Sequence, residues 1–74
     1  MDRIAAGTPL ARTDIARGLR IAVTLKNGRR VSGTARSGFR TNRVGETYFT
    51  LSYSGRKGSE MIFRSEFDSA ISLG

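Results

Sequence analysis

The sequence predicts a mainly β protein: a small, strongly bent five-stranded barrel preceded by a short helix. Three observations carry that expectation. Apolar and polar residues alternate through Ile21, Val23 and Leu25 and again through Val31, Gly33 and Ala35, the period of a half-buried strand. Asn27-Gly28 separates the two runs, and Asn-Gly between alternating segments is a strong hairpin signal. Gly33 falls in mid-strand, where a sharp bend favours a residue without a Cβ.

Residues 1–8 are expected to form a flexible N-terminus, and residues 9–74 a single domain. Thr8 can cap a helix, Pro9 suits its first position, and Gly18 stands where a C-terminal cap belongs. That spacing predicts a helix over 9–17, with Leu10 and Ile15 as its apolar groups. The first strand follows with Ile21, Val23 and Leu25 inward. The second turns Val31, Gly33 and Ala35 inward and Arg30, Ser32, Thr34 and Arg36 outward. "SGFRTNRVGE", residues 37–46, reads as a loop or a bent strand extension. "TYFTLSY" is the third strand, "SGRKGS" a second turn, and "EMIFR" the fourth strand. Ser65 and Asp68 have the spacing of a capping box. They predict one helical turn that projects Phe67 and Ile71 inward before a last strand, Ile71 to Leu73.

A chain of 74 residues buries only roughly 60% of its unfolded surface, so assembly is a natural way to cover what remains. It has no cysteine. Disulfides and thiolate metal sites are therefore excluded, and an intracellular, cytoplasmic setting is the expectation. No apolar run approaches a membrane span, and the N-terminal residues are too polar for a secretory signal. The chain reads as complete and soluble, with no membrane partner.

Thirteen Lys and Arg against six Asp and Glu give a net charge of +7. So strong a bias in so small a domain points to a polyanionic partner. Its distribution says more. No acid lies between Asp14 and Glu46, a stretch holding Arg17, Arg20, Lys26, Arg29, Arg30, Arg36, Arg40 and Arg43. Glu60, Glu66 and Asp68 gather near the C-terminus.

The candidate nucleic-acid-binding residues follow from this pattern. Lys26, Arg29 and Arg30 crowd the first hairpin tip, where they either grip phosphate or simply keep an edge solvated. Arg36, Arg40 and Arg43 surround Phe39 and Asn42. Cations that track a backbone beside an aromatic platform are the general recipe for single-strand binding. Phe39 also continues the inward alternation of Val31, Gly33 and Ala35, so a place in the core competes with stacking. Arg56 and Lys57 give the "SGRKGS" turn a basic tip. Tyr48 lies opposite in phase to Phe49, Leu51 and Tyr53, and is either exposed for stacking or covered by another subunit. Met61 and Phe63 stand opposite Ile62, and a strand apolar on both faces suggests a homo-oligomer. With no histidine, no cysteine and no carboxylate pair in an apolar setting, the sequence gives no support for an enzyme, a metal site or a cofactor.

The order of elements resembles that of Sm-like small β-barrel proteins, in the Hfq and Rof layout. Leu25, Asn27, Gly28 and Gly33 occupy matching places. The likeness covers residues 9–73 in layout and 19–35 in motif. It implies a bent barrel, RNA binding, and subunits that pair edge to edge. The Sm base-binding motif departs here: Arg40 takes the acidic place, Asn42 falls at another spacing, and Arg64-Ser65 replaces the Arg-Gly pair, so that pocket does not carry over. Rof-type barrels dock on a transcription factor. Sequence and resemblance together predict a non-enzymatic, nucleic-acid-binding regulator that favours RNA or single-stranded DNA. The alternative is a protein-interaction module docking on an acidic partner, such as a transcription or RNA-processing factor.

Overall fold

The computed structural model describes residues 5–74. Among these described residues seven antiparallel strands form one curled, half-barrel sheet. They are β1 (Pro9–Leu10), β2 (Arg20–Leu25), β3 (Arg30–Ala35), β4 (Arg40–Thr41), β5 (Thr47–Tyr53), β6 (Ser59–Phe63) and β7 (Phe67–Ser72). The order across the sheet is β1-β7-β2-β3-β5-β4, with β6 on the other side of β5. The mainly β class stands, and the finer expectations of five strands and an N-terminal helix are corrected.

Five of the strands are the expected ones. The two additions have local causes. Pro9 and Leu10 pair with Ile71 and Ala70 as a short edge strand. β4 runs along the same edge of β5 as β3, opposite Tyr48 and Thr47, after a break at residues 36–39. The bent second strand is therefore divided in two.

No α-helix occurs among the described residues; Arg12–Asp14 forms a single 3₁₀ turn. The predicted helix was too short to hold itself together without tertiary support. Its residues do better otherwise. The Asp14 carboxylate accepts from the Ala11 N–H at 2.8 Å, Ile15 is extended at ψ 119°, and Gly18 donates to the Ala35 carbonyl. Leu10 and Ile15 are nevertheless buried, carried into the core by a β edge and a 3₁₀ turn instead of a helix. The expected flexible segment 1–8 falls partly on residues 1–4, which lie outside the described residues. Gly7 donates to the Ser72 carbonyl, and the Thr8 carbonyl accepts from the Ser72 N–H.

At the first hairpin the Gly28 N–H donates to the Leu25 carbonyl, and Asn27 Oδ1 accepts from the Arg29 N–H at 2.9 Å. Only Gly28 takes positive φ there, at 87°, which is a turn with a glycine bulge rather than a two-residue primed turn. Gly33 has a stricter role. A Cβ built on it would collide with the backbone carbonyl of Ser52, so this is where β3 bends hard against β5.

The predicted helical turn at Ser65–Asp68 is also corrected. A tight turn joins β6 to β7, with the Glu66 N–H on the Phe63 carbonyl at 2.9 Å, and β7 begins at once with Phe67. A register shift opposite Thr24 and Leu25 lets β7 skip Asp68. Phe67 and Ala70 therefore both face inward, whereas Ile71, expected inside, is 41% exposed. The core is built on Ile21, Val23, Phe49, Leu51 and Ile62, all fully buried.

Candidate nucleic-acid interface

The same alternation that fills the core decides what the convex face of the sheet presents. With Val31, Gly33 and Ala35 buried, β3 turns Arg30, Ser32, Thr34 and Arg36 outward. With Phe49 and Leu51 buried, β5 turns out Tyr48, Thr50 and Ser52; with Ile62 buried, β6 turns out Ser59, Met61 and Phe63. Residues directly opposite on neighbouring strands share a face. The register thus lays down rows across this face. Arg40, Tyr48 and Phe63 form one. Arg36, whose N–H donates to the Thr50 carbonyl, lines up with Thr50 and Met61. Thr34, Ser52 and Ser59 form the third.

Two arginines thus lie on the Tyr48 side of a partly exposed aromatic pair. The Tyr48 and Phe63 ring centroids are 5.9 Å apart, tilted by 47°. Hydroxyls of Ser and Thr fill much of the remaining face. Arg43 sits at the tip of the β4–β5 hairpin, which Asn42 organises: its Oδ1 accepts the N–H of Val44 at 3.1 Å and of Glu46 at 2.9 Å. Asn42 is therefore a turn-former whose amide carbonyl is already engaged.

The first hairpin tip divides its charges. Arg30 joins the convex face. Lys26 donates its N–H to the Glu66 carbonyl and lines a groove with Arg64 beside the β6–β7 turn. The Arg29 guanidinium makes a bidentate pair with Glu60, 2.8 Å on each arm, the one ion pair among the described residues. Tyr53 Oη donates to the same carboxylate at 2.6 Å, and Arg56 lies 4.1 Å above the Tyr53 ring. The Tyr53 hydrogen bond, with Arg29 adding its own bond and charge, holds the Glu60 carboxyl below its usual range despite partial desolvation; Glu60 in turn raises Arg29. This cluster ties the β2–β3 hairpin to β6, two elements that share no ladder. The Arg29 fork thus holds the curled sheet together before any ligand. Lys57 is exposed near Arg56 on the β5–β6 turn.

Phe39 packs on the core, edge-on to Phe49 at 4.9 Å and to Phe67 at 5.6 Å. Its remaining surface lines a groove of about 670 Å³ with Ile15, Arg12 and Arg64. Of the candidate residues, Arg30, Arg36, Arg40 and Arg43 belong to the convex face and its adjoining hairpin. Arg56 and Lys57 stand at the end nearest Arg30, where Ser54 donates to the Ser32 carbonyl. Lys26, Arg29 and Phe39 lie apart from it. The sequence set left out Phe63 and Met61, and Tyr48 stood only as a possible platform. Their phase opposite Ile62 and Phe49 was legible, but only the pairing register brings them beside Arg36 and Arg40.

Among the described residues no cluster of His, Cys, Asp and Glu could hold a metal ion, and no helix is long and apolar enough to cross a membrane. Comparison with protein-family models, with curated proteins and with solved structures finds no match.

Proposed function

We propose that this protein is a non-enzymatic nucleic-acid-binding regulator with an Sm-like barrel, and that it holds RNA or single-stranded DNA on the convex face of β3–β6. The row Arg40–Tyr48–Phe63 is the observation that carries this reading. An aromatic pair with cations at its margin gives unpaired bases a surface to stack on and the backbone a partner to follow. Arg30, Arg36 and Arg43 extend the positive track, and outward hydroxyls offer further donors to phosphate. A duplex suits this face less well. Its bases are already stacked on each other, and no helix among the described residues could enter a groove.

Fluorescence anisotropy tests the reading with labelled single-stranded RNA, the matching DNA strand and a duplex, each at two salt concentrations. About four to six neutralised phosphates predict a log–log salt slope near −3 to −5, at ~0.7 to 0.9 per contact. Single strands should bind more tightly than the duplex. Absence of binding to all three at low salt sinks the proposal and favours docking on an acidic protein.

A further inference from the structure

The sheet is open at β6. Among the described residues this strand pairs with β5 alone, and its pairing is unbroken from Ser59 to Phe63. Natural edge strands are usually blunted by Lys, Pro, a bulge or a covering segment. β6, "SEMIF", has no Lys, Arg or Pro and no register shift, and it presents Met61 outward at 45% exposure. The opposite side of the sheet is treated differently. There β1 pairs with Ala70 and Ile71 of β7, and Gly7 and Thr8 extend the bonding to Ser72. Among the described residues one edge is shielded by the chain itself; the other carries a single inward charge, Glu60, which Arg29 and Tyr53 already hold, and its outer backbone groups are left to pair.

We propose that β6 pairs antiparallel with β6 of a second copy of this chain, about a two-fold axis at Met61. A head-to-tail contact would need the outer edge of β7, half of which β1 already covers, so the isologous contact uses the edge that remains. It is self-complementary. Met61 meets its own counterpart, and Ser59 lies opposite Phe63 in both directions. Glu60 and Ile62 point to the concave side, where Arg29 and Tyr53 neutralise and bond Glu60. In a chain of net charge +7, β6 itself carries no cation, so no like charges face each other along the paired strands. Pairing also joins the two convex faces into one surface across the axis. This inference does not depend on nucleic acid binding.

Sedimentation equilibrium of the nucleic-acid-free protein tests it. The expected result is a reversible monomer–dimer equilibrium in the micromolar range, reaching twice the 8.1 kDa of one chain, as suits so small an interface. Met61→Lys and Ser59→Lys should each weaken the dimer at least tenfold, while Ile71→Lys, on an exposed site elsewhere, should not. Because the chain lacks cysteine, Met61→Cys gives a direct geometric check. Facing residues of an antiparallel pair lie within disulfide reach, so oxidation should yield a covalent dimer, which Ile71→Cys should not. A monomer throughout, a closed assembly larger than two, or a dimer indifferent to both lysine substitutions overturns the proposal. Circular dichroism identifies any variant that fails to fold, and the remaining variants then decide.

Discussion

Gly33 and Glu60 set the shape of the curled sheet at the scale of single residues, by opposite means. Gly33 acts through what it lacks. With any side chain there, β3 would have to move off the Ser52 carbonyl, and a packed interior yields poorly to such insertion. Gly33→Ala should destabilise by about 3 kcal/mol or more, seen as a fall in melting temperature of over ~10 °C; Ser32→Ala, outward on the same strand, should change little. An unchanged melting temperature for Gly33→Ala would mean that the bend is not as tight as described. Glu60 acts through charge. Its folded pKa is lowered by Tyr53 and Arg29, so the unfolded state binds its proton more readily. The stabilisation is fully present above the ordinary carboxylate range and fades as pH falls through the folded value. Stability of the native chain should drop on acidification, and Glu60→Gln should flatten that part of the profile in urea titrations at a series of pH values. Tyr53→Phe should cost about 1 kcal/mol at neutral pH, less than the ~1.5–3 kcal/mol of a hydrogen bond to a charged group because this one keeps contact with solvent.

The β4–β5 hairpin shows at the scale of elements how a short ribbon is held in place by its turn. β4 has two residues, too few to fix its own register, so Asn42 supplies the missing order by accepting two N–H groups. Asn42→Ala should loosen the hairpin by about 1 kcal/mol, while Asn42→Asp, which keeps the acceptor, should lose less. Amide exchange at Val44 and Glu46 reads the difference directly, and equal protection in both variants would remove Asn42 from this role. The same contrast between local and tertiary signals explains what the sequence disclosed. β2 and β3 were legible because period two and Asn27-Gly28 agree. The N-terminal helix was misread because Thr8, Pro9 and Gly18 are local signals, whereas the edge of β7 that captures Pro9 and Leu10 is a tertiary one. Ile71 was placed inside because nothing in the sequence marks the register shift beside Leu25. For the interface, the outward phase of Arg36 and Tyr48 could be read, but their adjacency depends on cross-strand register. The diversion of Arg29 to Glu60 joins residues 31 positions apart and left no local trace.

Charge segregation becomes a property of the surface at the scale of the whole molecule. The stretch without acids between Asp14 and Glu46 supplies β3, β4 and their hairpins, so Arg30, Arg36 and Arg40 reach one side of the sheet with Arg43 at its adjoining hairpin. Two contributions to binding can then be separated by salt. Arginines that neutralise phosphate act through released counterions, and their removal makes binding less salt-dependent. Aromatic rings act through stacking, which leaves the counterion count alone. Arg36→Ala combined with Arg40→Ala should therefore make the slope shallower by about 1.4 to 1.8, two contacts at ~0.7 to 0.9 each. Tyr48→Ala should leave the slope unchanged while weakening affinity at every salt concentration by roughly 5- to 150-fold, the equivalent of ~1–3 kcal/mol for one stacked base. Arg29→Ala gives the contrast. Its guanidinium belongs to Glu60, so it should lower stability and leave the slope of the folded fraction intact. If all three variants shift the slope alike, binding is a diffuse response to net charge, and the convex face is not a site. If Tyr48→Ala alone has no effect on affinity, the arginines bind the backbone without a stacking platform beneath the bases.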